Sequence, residues 1–260
     1  MNIIVCIKQV PNTTDVRMDP KTNTLIREGV ESVINPFDTY AIEEGVLLKE
    51  RFGGKVTVIS MGPPQAENAL REAISLGCDE TILISDRALA GGDTWATSYT
   101  LSMAIKKVGS FDIIICGKQA SDGDTAQVGP GISAHLDIPQ VTYVKKIEEM
   151  GKDKAKMERL MEDGYEIVET PLPCVITVVK EINSPRLPSL KGKMRAKNAT
   201  IVKWGVKDIG CDLHSVGLEG SPTRVVKIFT PPPRKSGEIL QGEVSDISKK
   251  LVDLLKTELH

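Results

Sequence analysis

The chain is poor in aromatic residues and has no block of like charges. Only 4% of its 260 residues are Phe, Trp or Tyr, so we expect no platform of stacking rings for single-stranded nucleic acid. The formal net charge is −2, and the lysines and arginines form no basic block, so nucleic acid and anionic membranes are poor partners on electrostatic grounds. The remaining composition, 40% hydrophobic and 26% charged, is typical of a soluble globular protein with one large or two small domains.

Patterns for metal binding and for hydrolytic chemistry are missing as well. The five cysteines form no C-x-x-C pair, which argues against a zinc or iron–sulfur site and against a disulfide framework. Cys6, Cys116 and Cys174 lie in apolar, strand-like runs and are interpreted as small buried hydrophobes. With only three histidines, and with neither G-x-S-x-G nor H-E-x-x-H, we expect no metal site and no acyl-transfer chemistry.

Long apolar runs are also lacking. No run approaches the ~20 residues needed to span a bilayer, so no membrane insertion is expected. Met1 leads at once into the strand-like NIIVCIK, which is too short, and lacks the cleavage site, for a signal peptide. The expected location is therefore cytoplasmic.

Apolar runs and helical patterns alternate in the first half of the sequence. Continuous apolar runs predict strands, and apolar residues at helical spacing predict helices. The predicted strands are Ile3–Val10, Lys55–Ser60, Thr81–Ser85 and Asp112–Cys116, and the predicted helices are Pro36–Phe52, Gln65–Leu76, Asp93–Val108 and Asp124–Leu136. This order predicts an α/β fold, a doubly wound and mostly parallel sheet with helices on both faces.

The second half has a different pattern. Val141–Ile147, Met157–Val168 and Cys174–Val179 have period-two character and predict an antiparallel addition to the sheet. Asn183–Asn198 is rich in Pro, Lys and Arg and is interpreted as an exposed loop. A Pro-rich extended arm and an amphipathic helix follow, so we expect an α/β domain over residues 1–221 and a C-terminal arm over 222–260.

A glycine-rich loop, GKQASDGDTAQVGPG, runs from Gly117 to Gly131 between a predicted strand and a predicted helix. Ligands bind at the carboxyl ends of strands in open α/β sheets, and free amides at a helix start suit a phosphate. Asp124 is interpreted as the helix N-cap with Gln127 at N3, and Asp122 or Asp124 could accept hydrogen bonds from ribose hydroxyls. A site for adenosine and phosphate, or merely a tight turn with a cap, explains this loop equally well.

Two other predicted helix starts have polar character. In AGGDTWAT, Asp93 can cap a helix whose Thr94 and Thr97 present hydroxyls one turn apart, although an ordinary capped loop is the simpler explanation. In NPFD, Asn35 can cap and still offer its amide, and Asp38 would lie in the first turn near the same crevice.

Taken in order, these stretches resemble the beta subunit of electron transfer flavoprotein. VCIKQVP is similar to the family's opening strand, and NPFDTYAIEEGVLLKE to its first helix. VISMGPPQAENALREAISLGCDE is similar to the next strand and helix, and GKQASDGDTAQVGP to the nucleotide loop. The run RLMEDGYEIVETPLPCVITV, from Arg159 to Val178, is similar to the family signature. Met157, where smaller residues are usual, and Ser121, where a branched apolar residue is common, depart from the pattern.

The resemblance implies a heterodimer with an alpha subunit that carries FAD, and a beta chain of adenine-nucleotide-binding, Rossmann-like type. In simple members the beta site holds structural AMP. In flavin-bifurcating members it holds a second FAD, which takes a hydride from NADH; one electron then passes through the alpha FAD to an acyl-CoA dehydrogenase or similar flavin-dependent dehydrogenase, and the other to ferredoxin or flavodoxin. DRALAGGDTWATS resembles the bifurcating branch, and we favour that function, with oxidoreductase activity only as part of a complex.

The resemblance also implies particular site residues. The cofactor-binding residues are expected to be Cys6, Asn35, Pro36, Phe37, Asp38, Met61, Thr94, Thr97, Gly117, Lys118, Gln119, Ala120, Ser121, Asp122, Gly123, Asp124, Thr125, Ala126, Gln127 and Val128. NSPRLPSLKGKMRAKNA looks like the loop by which the family touches its dehydrogenase. Leu190 is its expected anchor, unless that side chain folds back onto its own domain.

Two other protein classes bind nucleotides on similar sheets. A sensor resembling universal stress proteins would need G-x-x-G spaced from G-[ST] after Cys116, and the sequence lacks that spacing. A ligase of the pyrophosphatase-loop type would need S-G-G-x-D-S after the first strand, where Lys8-Gln-Val-Pro11 stands instead. Flavin absorbance of the purified complex would separate the three classes.

Overall fold

The structure is a computed structural model that describes residues 1–12, 32–226, 237 and 239–258. The strands are β1 Asn2–Ile7, β2 Gln9–Pro11, β3 Ser32–Ile34, β4 Lys55–Met61, β5 Glu80–Ile84, β6 Ile113–Gly117, β7 Gln140–Met150, β8 Lys154–Met161, β9 Gly164–Pro171, β10 Cys174–Val178 and β11 Val202–Trp204. The helices are α1 Pro36–Phe52, α2 Glu67–Leu76, α3 Thr94–Val108, α4 Val128–Leu136, α5 Leu190–Asn198, α6 Val206–Ile209 and α7 Val244–Glu258.

A nine-stranded sheet in the order β11-β5-β4-β1-β6-β10-β7-β8-β9 forms the centre of the fold. All pairs from β11 to β7 are parallel, and β7, β8 and β9 pair antiparallel. The predicted α/β class, a mostly parallel sheet with an antiparallel addition, is confirmed. The expectation that Cys174–Val179 belongs to the antiparallel part is wrong, since β10 lies between β6 and β7 and is parallel to both.

The core has two layers because successive side chains of a strand point to opposite faces of the sheet. Ile3 and Val5 of β1 pack with the residues of α1 and α2 on one face, whereas Ile4 and Cys6 pack with those of α3 and α4 on the other. Helix α1 lies close to the sheet: a Cβ at Gly45 would be 3.0 Å from a methyl group of Val5. The central strands are buried on both faces, which explains their unbroken apolar sequences.

Three predicted segments differ from the structure. Ile3–Val10 is two strands, because Gln9–Pro11 leaves the sheet and pairs with β3. Met157–Val168 is also two strands, since the chain turns between Met161 and Gly164 and returns as β9 beside β8. Asn183–Asn198 is only partly a loop: its second half is helix α5, whose N-cap Ser189 accepts a hydrogen bond from the Gly192 amide.

The chain divides into two compact units, Met1–Val225 and Val226–His260. The second unit contains α7, which confirms the predicted last helix. The triple proline of the predicted arm, residues 231–233, lies outside the described residues, and the boundary at residue 221 stays a prediction. Of the helices that the structure describes, none is both long enough and apolar enough to cross a membrane.

Candidate functional site

The predicted site residues converge on one edge of the sheet, where the parallel strands β1, β6 and β10 end. Cys6 of β1 lies beside Cys116 of β6, and Gly117 at the end of β6 lies beside Val178 of β10. Met61 ends β4, the other neighbour of β1. The first turns of α1 and α4 and the loop between β6 and α4 meet this edge, which is the usual ligand-binding edge of an open α/β sheet.

Gly117 allows β6 to end directly against the start of α1. A Cβ on Gly117 would run into the Asp38 carboxylate and the Phe37 backbone. The absence of a side chain here brings Phe37, Asp38 and the glycine-rich loop into contact.

Asn35 ties the glycine-rich loop to α1. Its Nδ2 donates to the Gln119 carbonyl at 2.8 Å, and its Oδ1 accepts from the Ser121 amide at 3.0 Å. Asn35 occupies the N-cap position of α1, but in the described structure its side chain makes no cap hydrogen bond. The predicted capping role of Asn35 is therefore wrong, because its amide is used to hold the loop.

Asp38 is a buried acid beneath the loop. Its Oδ2 accepts a hydrogen bond from the Lys8 amide at 2.7 Å. Burial raises the pKa of the Asp38 carboxyl to about 7, although hydrogen bonds from Lys8, Asn35 and Gly117 act to lower it. Asp38 thus joins the ends of β1 and β6 to α1 and can exchange a proton near neutral pH.

The glycine-rich loop reaches α4 through left-handed backbone. Asp124 and Ala126 have φ values of 49° and 54°, which no α-helix can contain, so α4 begins at Val128 rather than at Asp124. The predicted N-cap role of Asp124 is wrong: its carboxylate accepts from Gln119 Nε2 at 2.7 Å. Gln127 is the N-cap instead, and in the described residues no side chain caps α4. We call Gln127–Gly129 the open start.

The start of α3 has the opposite character. The Asp93 carboxylate accepts from the amides of Trp95 and Ala96 at 3.0 and 3.1 Å, which confirms the predicted cap. It also accepts from the amide and hydroxyl of Thr223 at 2.9 and 2.8 Å. Burial acts to raise the pKa of Asp93, but hydrogen bonds from Thr223, Ala96 and Trp95 outweigh it and lower that pKa. We call Asp93–Thr97 the closed start.

The two helix starts are in contact through one side-chain pair. The Thr94 hydroxyl lies 3.2 Å from Oε1 of Gln127, and Thr97 lies half-buried one turn further along α3. Thr94 therefore contacts Gln127 at the end of the glycine-rich loop, and the cofactor-binding roles of Thr94 and Thr97 stay predictions.

The charges at the site are unevenly compensated. Lys8 Nζ lies 2.6 Å from Asp122 Oδ1, so this pair is neutral overall. Lys118 Nζ lies 5.2 Å from the centroid of the Tyr143 ring and 6.0 Å from that of Phe37. In residues 1–12 and 32–226, no carboxylate lies within ion-pair distance of Lys118.

Sequence reasoning missed Lys8, Tyr143 and Thr177. Lys8 follows the first predicted strand directly, and that position at a strand end could have identified it. Tyr143 could not have been found, because it reaches the site through an irregularity in the pairing of β7 with β10. Thr177 lies within an apolar run and carries no signal of its own.

Leu190 lies at the first turn of α5, and its side chain is 78% exposed. The neighbouring Leu187 is exposed as well. The backbone around them is anchored: Arg186 lies 2.9 Å from Glu43 and 2.6 Å from Glu50, and Arg195 donates to the Ile74 carbonyl at 2.7 Å. The alternative that Leu190 folds back onto its own domain is therefore wrong.

The part of the chain that the structure describes contains no set of metal ligands. No group of three His, Cys, Asp or Glu side chains there could hold a metal ion. All five cysteines are free, and Cys6, Cys116 and Cys174 are buried in the core as predicted.

The site residues suit a ligand that carries a phosphate and hydroxyl groups. The open start presents the amides of Val128 and Gly129 together with the positive end of the α4 dipole, which suits a phosphate. A Cβ on Gly129 would meet Thr177, so small residues bring the helix start close to the sheet. Asp122 and the loop carbonyls supply acceptors for ribose hydroxyls.

Comparison with known proteins gives a consistent result. Residues 22–209 match the family described as electron transfer flavoprotein domain. The chain is 55% identical over 258 residues to the electron transfer flavoprotein subunit beta of Thermoanaerobacterium thermosaccharolyticum, covering 99% of this chain and 98% of the relative. It is 50% identical over 258 residues to the caffeyl-CoA reductase-Etf complex subunit CarD of Acetobacterium woodii, covering 98% of each. It is 46% identical to the subunit beta of Megasphaera elsdenii, covering 100% of this chain and 98% of the relative.

Proposed function

The chain belongs to the electron transfer flavoprotein family as a beta subunit, and from this premise we propose that it binds FAD and works in electron bifurcation. In this proposal the heterodimer with the alpha subunit accepts a hydride from NADH. One electron goes to ferredoxin or flavodoxin, and the other passes through the alpha-subunit FAD to a flavin-dependent dehydrogenase of the acyl-CoA dehydrogenase type.

The observation that carries the proposal is the open start next to the glycine-rich loop. Two helix amides, without a capping side chain in the described residues, face a loop whose backbone is held by Asn35. This arrangement binds a phosphate without a Walker lysine, and Asp122 accepts from the ribose. The chain's own residues orient the nucleotide.

The preference for FAD over AMP rests on similarity. CarD is by name a subunit of a caffeyl-CoA reductase-Etf complex, and it is 50% identical to this chain. DRALAGGDTWATS also resembles the bifurcating branch. When bound, FAD would supply both hydride acceptance and single-electron transfer. A carrier with structural AMP would use the same loop and is the second candidate.

Cofactor content of the purified heterodimer tests the proposal. Two FAD and no AMP per heterodimer are expected, with bleaching of flavin absorbance when NADH is added. One FAD and one AMP, with no response to NADH, would place the protein among the non-bifurcating carriers. The absence of any adenine nucleotide from this subunit would contradict the site itself.

The C-terminal arm is proposed to hold the alpha subunit. Helix α7 has an apolar stripe, with Leu251, Leu254 and Leu255 all partly exposed, that suits a partner. A chain that stops after Val226 keeps the Thr223 hydrogen bonds to Asp93 but loses the rest of the arm, including α7. We expect it to co-purify poorly with the alpha subunit, and undiminished co-purification would contradict this role.

Leu190 is proposed to anchor the client dehydrogenase. An exposed leucine on an anchored segment can enter a partner pocket while Lys191 and Lys193 steer the encounter. Leu190→Ala should slow electron delivery to the dehydrogenase and leave flavin content and NADH reduction intact. Leu213→Ala is the matched control, since Leu213 is an exposed leucine outside this segment. Equal delivery rates in Leu190→Ala and the parent would contradict the contact.

A further inference from the structure

Tyr143 has a backbone conformation that a bulky residue rarely adopts. Its φ is 59°, in the left-handed region, where an aromatic side chain is a genuine outlier. The pairing of β7 with β10 shifts register between Ile176 and Val178, next to Tyr143. Such bulges next to sites re-aim a side chain, and strained backbone persists only where the surroundings hold it.

Thr177 holds this backbone in place. The Tyr143 amide donates to the Thr177 hydroxyl at 3.1 Å. Thr177 is itself buried, and its methyl group lies 2.5 Å from the position that a Cβ on Gly129 would take. The strained residue is therefore linked through one side chain to the open start.

The Tyr143 ring is directed toward Lys118. Lys118 Nζ lies 5.2 Å from this ring and 6.0 Å from Phe37, and the Lys118 amide donates to the Val178 carbonyl at 2.9 Å. A carboxylate would restrain this ammonium but would also neutralise it, as Asp122 does for Lys8. An aromatic face restrains a flexible lysine and leaves its full positive charge for a ligand.

Lys118 is one of the cofactor-binding residues that the resemblance implies, and we propose that Tyr143 is the positioning residue that holds its ammonium for contact with the phosphate of the nucleotide. The inference rests on the proposed nucleotide site, but it holds for AMP and FAD alike because both carry the phosphate. The strained backbone at Tyr143 is maintained because it places the ring beside the Lys118 ammonium. Lys118 directly follows Gly117, where β6 ends against the start of α1.

A double-mutant cycle with AMP as the probe tests this inference. The protein is the heterodimer with its alpha subunit, freed of this nucleotide by dialysis, and Kd is measured by calorimetry. Lys118→Met should raise Kd about tenfold, because a charge-assisted hydrogen bond is lost. Tyr143→Leu should raise it about threefold, the scale of one cation–π contact. In the Lys118→Met background, Tyr143→Leu should add nothing, and Tyr143→Phe should bind like the parent.

A glycine variant separates positioning from a purely structural role. Tyr143→Gly removes the ring and relieves the left-handed strain, so its Tm should be unchanged or higher while Kd rises as in Tyr143→Leu. Independent, additive effects of the two substitutions would overturn the inference, and so would unchanged Kd in Tyr143→Leu. A parent that binds neither AMP nor FAD would overturn the proposed function instead, and the two failures are thus distinguishable.

Discussion

The open start of α4 and the closed start of α3 lie next to each other. They differ in whether a side chain accepts hydrogen bonds from the first amides of the helix. At α3 the Asp93 carboxylate accepts two helix amides and two donors of Thr223. At α4 the preceding residues Asp124 and Ala126 are left-handed, and within the described chain no side chain turns back to cap the helix. A capping carboxylate occupies the free amides of the first helical turn. Where left-handed residues precede the helix and no side chain caps it, those amides can bind an anion.

The two acids at helix starts show the same contrast in their titration. Burial raises the pKa of Asp38 to about 7. The more exposed Asp93 has four hydrogen-bond donors, led by Thr223, which lower its pKa despite the opposing effect of burial. The same residue type, in the first turn of α1 and at the N-cap of α3, is therefore a proton-exchanging group in one helix and a fixed anion in the other.

The largest expected effect is the pH dependence that Asp38 gives to stability. Because its folded pKa lies above its unfolded value of 3.8, the folded state keeps a proton that the unfolded state has lost. Stability from this group therefore falls as pH rises from about 4 to about 7. Relative to Asp38→Asn, the parent should lose on the order of 3 kcal/mol of unfolding free energy across that window.

Denaturant unfolding of both heterodimers at several pH values measures this difference. The comparison cancels the titrating groups that do not interact with Asp38. A constant difference between parent and variant from pH 4 to 8 would contradict the assigned protonation.

The second effect comes from closing the open start. Gln127→Asp adds a carboxylate that competes with a phosphate for the α4 amides and repels it. Nucleotide affinity should fall by on the order of 2 kcal/mol, or about thirtyfold in Kd. Gln127→Asn is the matched control, since it offers a similar cap without the charge. Equal affinity in the Asp and Asn variants would show that the α4 dipole does not hold the phosphate.

The third effect comes from opening the closed start. Asp93→Ala removes the α3 cap and should cost about 1 kcal/mol of unfolding free energy. Asp93→Asn keeps an acceptor and should cost less. Nucleotide retained at the α4 site should be the same in both variants, and its release from Asp93→Ala would mean that the two starts act as one site.

The smallest effect concerns the contact between the two starts. Replacing Thr94 and Thr97 together by valine removes the hydrogen bond of the Thr94 hydroxyl to Gln127, an exposed contact worth about 0.5 kcal/mol, at the low end for a hydrogen bond. In the proposed function, NADH reduction of the bound flavin should slow while FAD content is preserved. Stopped-flow absorbance measures the first and cofactor extraction the second. Loss of FAD from this double variant would instead assign the threonines to the FAD site.

The sequence predicted helices and strands well where neighbouring residues determine their bounds. Helix α1 matches its predicted bounds, Pro36–Phe52, because a proline opens it and Gly53 ends it. The place of the glycine-rich loop at the carboxyl end of a parallel strand was predicted from the alternating pattern, whereas Cys6 entered the expected site only through the family resemblance.

Predictions from the sequence were wrong or missing where pairing with a distant strand, or the backbone conformation of a loop, determines the position of a side chain. Asp124 has the composition of a cap, but its left-handed φ directs the carboxylate to Gln119. The conformation of Tyr143 depends on β10, which lies more than thirty residues further along the chain. Helix α5 forms in a Pro- and Lys-rich segment because Arg195 and Arg71 tie it to its neighbours by carbonyl hydrogen bonds.

The neighbouring thiols of Cys6 and Cys116 make the strand ends observable by chemical labelling. A hydrogen bond from Cys6, together with burial, raises the pKa of the Cys116 thiol well above its usual value. Alkylating reagents attack thiolates, so the buried Cys116 reacts only in molecules whose strand ends have separated. Cys211, less deeply buried, provides an internal reference in the same chain. The labelling rate of Cys116 relative to that of Cys211 therefore measures how often the strand ends at the site separate. This measurement needs no flavin absorbance.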